Sequence, residues 1–182
     1  MTKLWSMIMA AAIWCLALPA QAAPTVSELS RTGKEVCKAM YPEGVKGCDE
    51  FLVNVAVGQS FLDDSLISHY NDEFSKYGVY LLSAEQAQKA IAFAQKEKNG
   101  GFLELVNPDG KIDDMLQQDL KVQMAVLLAL ASGLRPKDWK ENMATLKGHA
   151  ALWHDIFPDA EMSEEIFIRD VKAFQDDKGK IR

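Results

Sequence analysis

The segment that most constrains this chain is VQMAVLLALASGL at 122–134, preceded by a helix-favouring stretch that opens at Asp113 and Asp114. Paired acids suit the positive end of a helix dipole and Gly133 suits a stop, so the pattern predicts one long helix from 113 to about 132. The second half of that helix is apolar on nearly every side. Such a helix does not lie on a surface; neighbours must wrap it. It is shorter than the roughly 20 apolar residues that span a bilayer, and Gln123 and Ser132 interrupt it. A buried helix coated by other helices is the expectation.

The rest of the chain supplies the coat. Val26, Leu29, Val36 and Met40 form one helical stripe, with Thr25 or Ser27 as its cap. Asp49 opens a second segment, with Phe51, Leu52, Val55, Leu62 and Leu66 at helical spacing, although Val53, Val55 and Val57 also suit a strand. Gly58 inside it costs about 1 kcal/mol relative to Ala, and close approach of a neighbouring helix is the reason expected for it. Residues 83–86, SAEQ, spell a capping box that opens a helix bearing Ala87, Ala90, Ile91 and Ala94. Pro136 fits the first position of a helix running to Lys147, with Gly148 as its stop. A short helix or turn at 149–157 follows. Ser163 and Glu164 then open a last helix that turns Ile166, Phe167, Val171 and Phe174 inward. Residues 71–82 read as a linker. The stretch 102–112, with its turn N-P-D-G, reads as a short β flap or an extended connection. The expected fold is all-α: one compact domain over 23–182, about six helices around a central apolar helix, with a short β flap near 102–112 allowed.

Residues 1–22 carry the layout of a cleavable secretory signal peptide: Lys3, an apolar stretch at 4–18 broken only by Ser6, Pro19, and the small-residue site Ala20-Gln21-Ala22. This points to the periplasm or the cell exterior. Removal of Cys15 with the leader leaves Cys37 and Cys48, and an even count in an oxidising compartment favours a disulfide. The intervening Pro42, Gly44 and Gly47 let the chain turn back. A loop of this length stabilises by about 3 kcal/mol in the chain-entropy model. The spacing is not C-x-x-C, and no nearby His completes a metal set. The part after residue 22 has 19 basic against 26 acidic residues. That balance argues against nucleic acid, whose binders need a basic footprint.

Motifs that carry chemistry are sparse. Residues 105–116 partly match an EF-hand calcium loop, but position 1 is Leu105 and position 12 is Leu116, where the carboxylate ligands belong. His149 and His154 are five apart, roughly 140° around a helix, so they do not share a face. No G-x-S-x-G elbow, phosphate loop or dinucleotide fingerprint occurs. The acidic pairs Asp63-Asp64, Asp113-Asp114, Glu164-Glu165 and Asp176-Asp177 read as helix starts or solvated faces. No catalytic, metal or cofactor residues are assigned.

Aromatics are the remaining candidates. His69, Tyr70, Phe74, Tyr77 and Tyr80 combine a histidine, three tyrosines and a phenylalanine outside the strongest helices, and are the expected interaction surface. The loop at 99–112 ranks second. Trp139 and Trp153 either join such a surface or cover the core. The functional expectation is an exported, periplasmic helical module that binds another envelope protein in a bacterium, an inhibitor or immunity-type protein being one form of that role. The alternatives are a carrier of a small apolar ligand in a helical pocket, and an enzyme without a sequence-evident motif.

Overall fold

The computed structural model describes residues 23–180, so the signal peptide expected at 1–22 lies outside the described residues. Helices dominate. α1 (Val26–Met40) and α2 (Cys48–Ser60) pack as a pair, and α3 (Asp64–Phe74) leads into a two-stranded antiparallel hairpin, β1 (Lys76–Tyr77) and β2 (Leu82–Ser83). Then follow α4 (Ala84–Lys96), α5 (Gly100–Leu105), α6 (Ile112–Gln118), α7 (Leu120–Leu134), α8 (Trp139–Asn142), α9 (Leu146–Ile156) and α10 (Glu164–Lys180).

The apolar run is the centre. Every residue of α7 from Val122 to Ala131 is buried, and α4, α1, α9, α5 and α6 all pack on it. The all-α reading holds, with more and shorter helices than the pattern suggested. The helix expected to start at 113 is two helices, because the Asp119 carboxylate accepts from the backbone N–H groups of Lys121 and Val122 and caps α7 afresh. The segment opened by Asp49 also divides. Phe61 and Leu62 adopt left-handed φ of 51° and 57°, a conformation costing about 1–2 kcal/mol per L-residue. Asp63 then caps α3 through Ser65 and Leu66.

The strand pair lies at 76–83, not at 102–112. Residues 100–105 are helical, because the Asn99 side chain accepts from the Phe102 N–H and Phe102 buries its ring. A short apolar run is equally compatible with helix or strand, so its neighbours decide. Gly148 does not stop a helix either. Thr145 caps α9, which runs through Gly148, and a Cβ at that position would overlap the carbonyl oxygen of Asn142. Small size, not chain termination, is what the fold takes from this glycine.

Other local signals act as written. The capping box of 83–86 forms in both directions, Gln86 N–H to Ser83 Oγ and Ser83 N–H to Gln86 Oε1. Gly58 admits the Phe167 ring of α10 against α2, a ring that a Cβ would overlap. Cys37 and Cys48 form a disulfide that joins α1 to the first residue of α2, with Cα atoms 6.2 Å apart. Among the described residues no helix is long and apolar enough to cross a membrane.

Candidate functional site

The hairpin and the helices around it frame an open groove of about 630 Å³, inside the ordinary range for binding clefts. Its floor is apolar: Leu130 and Leu134 from α7, and Trp153 and Ile156 from α9. One wall is Tyr70 and Phe74 from the end of α3, with Lys76 and Leu81 of the hairpin segment. The other is the turn at 157–162 after α9, and the first turns of α4 add Glu85, Gln86 and Lys89.

Each part of the floor has a fixed position. Trp153 is buried, its indole N–H donates to Gln59 Oε1 at 2.8 Å, and its ring stacks on Phe167 with centroids 4.9 Å apart. Gly58 makes that stack possible by leaving room for Phe167. Gln86 ties α4 to α9 by donating to the Ile156 carbonyl at 2.9 Å. At the rim Asp155 is paired with Arg135, which also reaches Asp138 at 3.6 Å. The groove lining carries four carboxylates (Glu85, Asp155, Asp159 and Glu161) and two lysines, Lys76 and Lys89.

Of the expected interaction surface, the structure brings together His69, Tyr70 and Phe74. Their rings lie 5.2–5.8 Å apart, centroid to centroid. Phe74 is 50% exposed, and His69 pairs with Glu73 one turn on at 3.2 Å. Lys76 sits over the Tyr70 ring at 5.9 Å, a cation–π arrangement. Tyr77, on β1, is half-buried. Tyr80 is the correction: it is wholly buried, in the tight turn 78–81 that points into the body of the protein. That turn docks on α7, where Gln123 Oε1 accepts from the Val79 N–H at 3.0 Å. The tip of a hairpin is ordinarily solvated; here a single glutamine inside an apolar helix supplies the backbone partner that allows its burial. Loss of water pushes the Tyr80 phenol well above its usual range, and its hydroxyl has no hydrogen-bond partner among the described residues. Tyr41 contrasts with it: also buried and pushed up to about 12, but with Leu128 O and Ser132 Oγ in reach at 3.4 and 3.5 Å.

The remaining candidates are structural. Trp139 and Trp153 are both buried. His149 is buried with both ring nitrogens engaged: Nδ1 accepts from Asn54 and Nε2 donates to the Met143 carbonyl. Desolvation holds its pKa below the ordinary imidazole value. The N-P-D-G turn forms with Gly110 N–H on the Asn107 carbonyl. Among the described residues, no group of three or more His, Cys, Asp or Glu side chains is placed to hold a metal ion. At 99–112, Leu103 is 40% exposed on α5, away from the groove lining.

The sequence reading found one wall of the groove but not its floor. Leu130 and Leu134 look like core in any periodicity analysis; Leu130 and Trp153 are buried and Leu134 is partly buried, yet all three line the groove. No known family, curated protein or solved structure matches this chain.

Proposed function

We propose that this is an exported helical module of a bacterial envelope that binds another protein through α3 and the adjoining groove. The observation that carries the reading is the cluster of His69, Tyr70 and Phe74, in which Tyr70 and Phe74 line the groove and Phe74 is half-exposed. Aromatic side chains beside an apolar, partly enclosed floor are the usual composition of an interface hot spot. Export rests on the leader at 1–22 and agrees with the Cys37–Cys48 disulfide. An inhibitor or immunity-type role against an envelope enzyme suits a chain of this size. That role rests on analogy of size and export, and its partner would be named by the test below.

The groove volume supports a second reading, a carrier of a small apolar ligand. Its mixed lining of carboxylates, lysines and apolar residues favours a polypeptide over a lipid.

The test is capture from the native envelope with the tagged protein and with a Tyr70→Ala/Phe74→Ala variant in parallel, followed by mass spectrometry. The binding reading expects one protein recovered in near-equal amount and at least tenfold less of it with the variant. Equal recovery with both proteins overturns the assignment to this face. A co-purifying apolar compound in native mass spectra, with no protein partner, replaces it with the carrier reading.

A further inference from the structure

α3 is built unlike the other long helices of this protein. None of its described residues is buried, and of those residues only Ile67 is packed on the hydrophobic cluster. Its chief packing partner is the two-residue strand β1. Both its ends are left-handed non-glycine residues: Phe61 and Leu62 before it, Ser75 after it with φ 49°. Yet Tyr70 and Phe74 form a wall of the groove. Such an element is held lightly, with Leu62 before it and Ile67 within it as its anchors on the hydrophobic cluster.

The N-terminal end of α3 has one further contact. The backbone nitrogen of Ala23 donates to the Asp64 carboxylate, beside Asp63, which caps the helix. Ala23 is the residue that follows the Ala20-Gln21-Ala22 cleavage site. In the uncleaved chain that nitrogen is a neutral peptide N–H. After cleavage it is an α-ammonium, and the same contact is an ion pair. We propose that α3 is a hinged lid on the groove, and that cleavage before Ala23 latches it by seating the new α-ammonium on Asp64. The inference deepens the reading of α3 and the groove as the binding face, and takes its meaning from that reading and from export.

Magnitude decides whether such a latch can matter. An exposed ion pair shifts an equilibrium by about fivefold at most. On a core helix that shift would be invisible behind the global stability. On a helix held this lightly it changes the open population directly.

The experiment is hydrogen–deuterium exchange read by mass spectrometry on the exported, processed protein, with its N-terminus established first. Three further forms are compared: α-N-acetylated protein, which keeps the N–H but loses the charge, Asp64→Asn, and acetylated Asp64→Asn. Amides of α3 should exchange far faster than those of α7. Acetylation and Asp64→Asn should each speed α3 exchange about two- to fivefold and leave α7 unchanged. Acetylating the variant should add nothing, and 0.5 M salt should remove the differences. Protection of α3 equal to that of α7 overturns the lid. Exchange indifferent to acetylation, additive effects, or a processed N-terminus other than Ala23 overturns the latch. If the latch holds but Tyr70→Ala/Phe74→Ala still captures the partner, the lid stands and the binding reading fails.

Discussion

His149 Nδ1 lies 2.9 Å from Asn54 Nδ2, and this bond is the middle link of a one-way chain. Gln175 donates to the Asn54 carbonyl oxygen at 3.1 Å, Asn54 donates to His149, and His149 Nε2–H donates to the Met143 carbonyl at 2.7 Å. The chain ties α10, α2 and α9 to the end of α8, and it requires neutral imidazole with its proton on Nε2. Protonation would set a second N–H against the Asn54 amide.

Stability should therefore fall with acid in a defined window. Burial holds the folded pKa of His149 below the ordinary value, about 6.5 in an unfolded chain. Between the two the unfolded state binds more protons, so this contribution is complete above about pH 6.5 and is lost as pH falls through the folded pKa. Thermal melts from pH 7.5 to 5 should show a falling Tm for the wild type and a flatter profile for His149→Gln. Parallel profiles would remove His149 as the cause.

Tyr80→Phe should stabilise the protein by about 1 kcal/mol, since it deletes a buried hydroxyl that has no partner among the described residues. Tyr80→Ala should instead cost about 3–5 kcal/mol, as for any large core side chain. Urea denaturation of both variants checks the pair. A Phe variant less stable than wild type would mean that the hydroxyl has a partner after all.

Gly58→Ala should destabilise despite the better helix propensity of alanine. The gain is about 1 kcal/mol, whereas forcing a methyl group into the Phe167 ring costs about 1–3 kcal/mol. The two positions should couple: in a Phe167→Leu background the alanine should cost less. A double-mutant cycle in chemical denaturation measures this directly, and additive effects would place the strain elsewhere.

Replacing Cys37 and Cys48 together by serine should cost about 3 kcal/mol, from loop-closure entropy restored to the unfolded chain. Wild type treated with reductant should unfold at the same urea concentration as the double variant. Because the bridge ends on the first residue of α2, at the opposite end of that helix from the link to α3, and neither cysteine lines the groove, partner capture through Tyr70 and Phe74 should survive the change at temperatures where the fold persists.

Much of the fold was legible because local chemistry carried it. An all-apolar helix face admits only burial, S-x-x-Q admits a capping box, Gly58 flagged a close helix, and two cysteines flanking a Pro/Gly loop closed on each other. The breaks at 61–62 and at Asp119 were hidden because helical spacing runs straight across them, and one side-chain cap outweighs a continued stripe. Tyr70 and Phe74 could be placed on one helical face from spacing alone, since residues four apart are neighbours on a helix; the approach of His69 to both rings appears only in the structure. Tyr80 could not be placed. Its burial depends on Gln123, 43 residues away in sequence, satisfying the backbone of the turn that carries it. The groove floor was out of reach for the same reason. Leu130 and Leu134 are core by composition, and only the packing of α3, the hairpin and the 157–162 turn around them makes them, with Trp153, line a groove. Sequence determined which surfaces must be covered, through hydrophobicity and helix caps that act within a turn or two. Tertiary structure decided which stayed uncovered, because that depends on contacts between residues far apart in the chain.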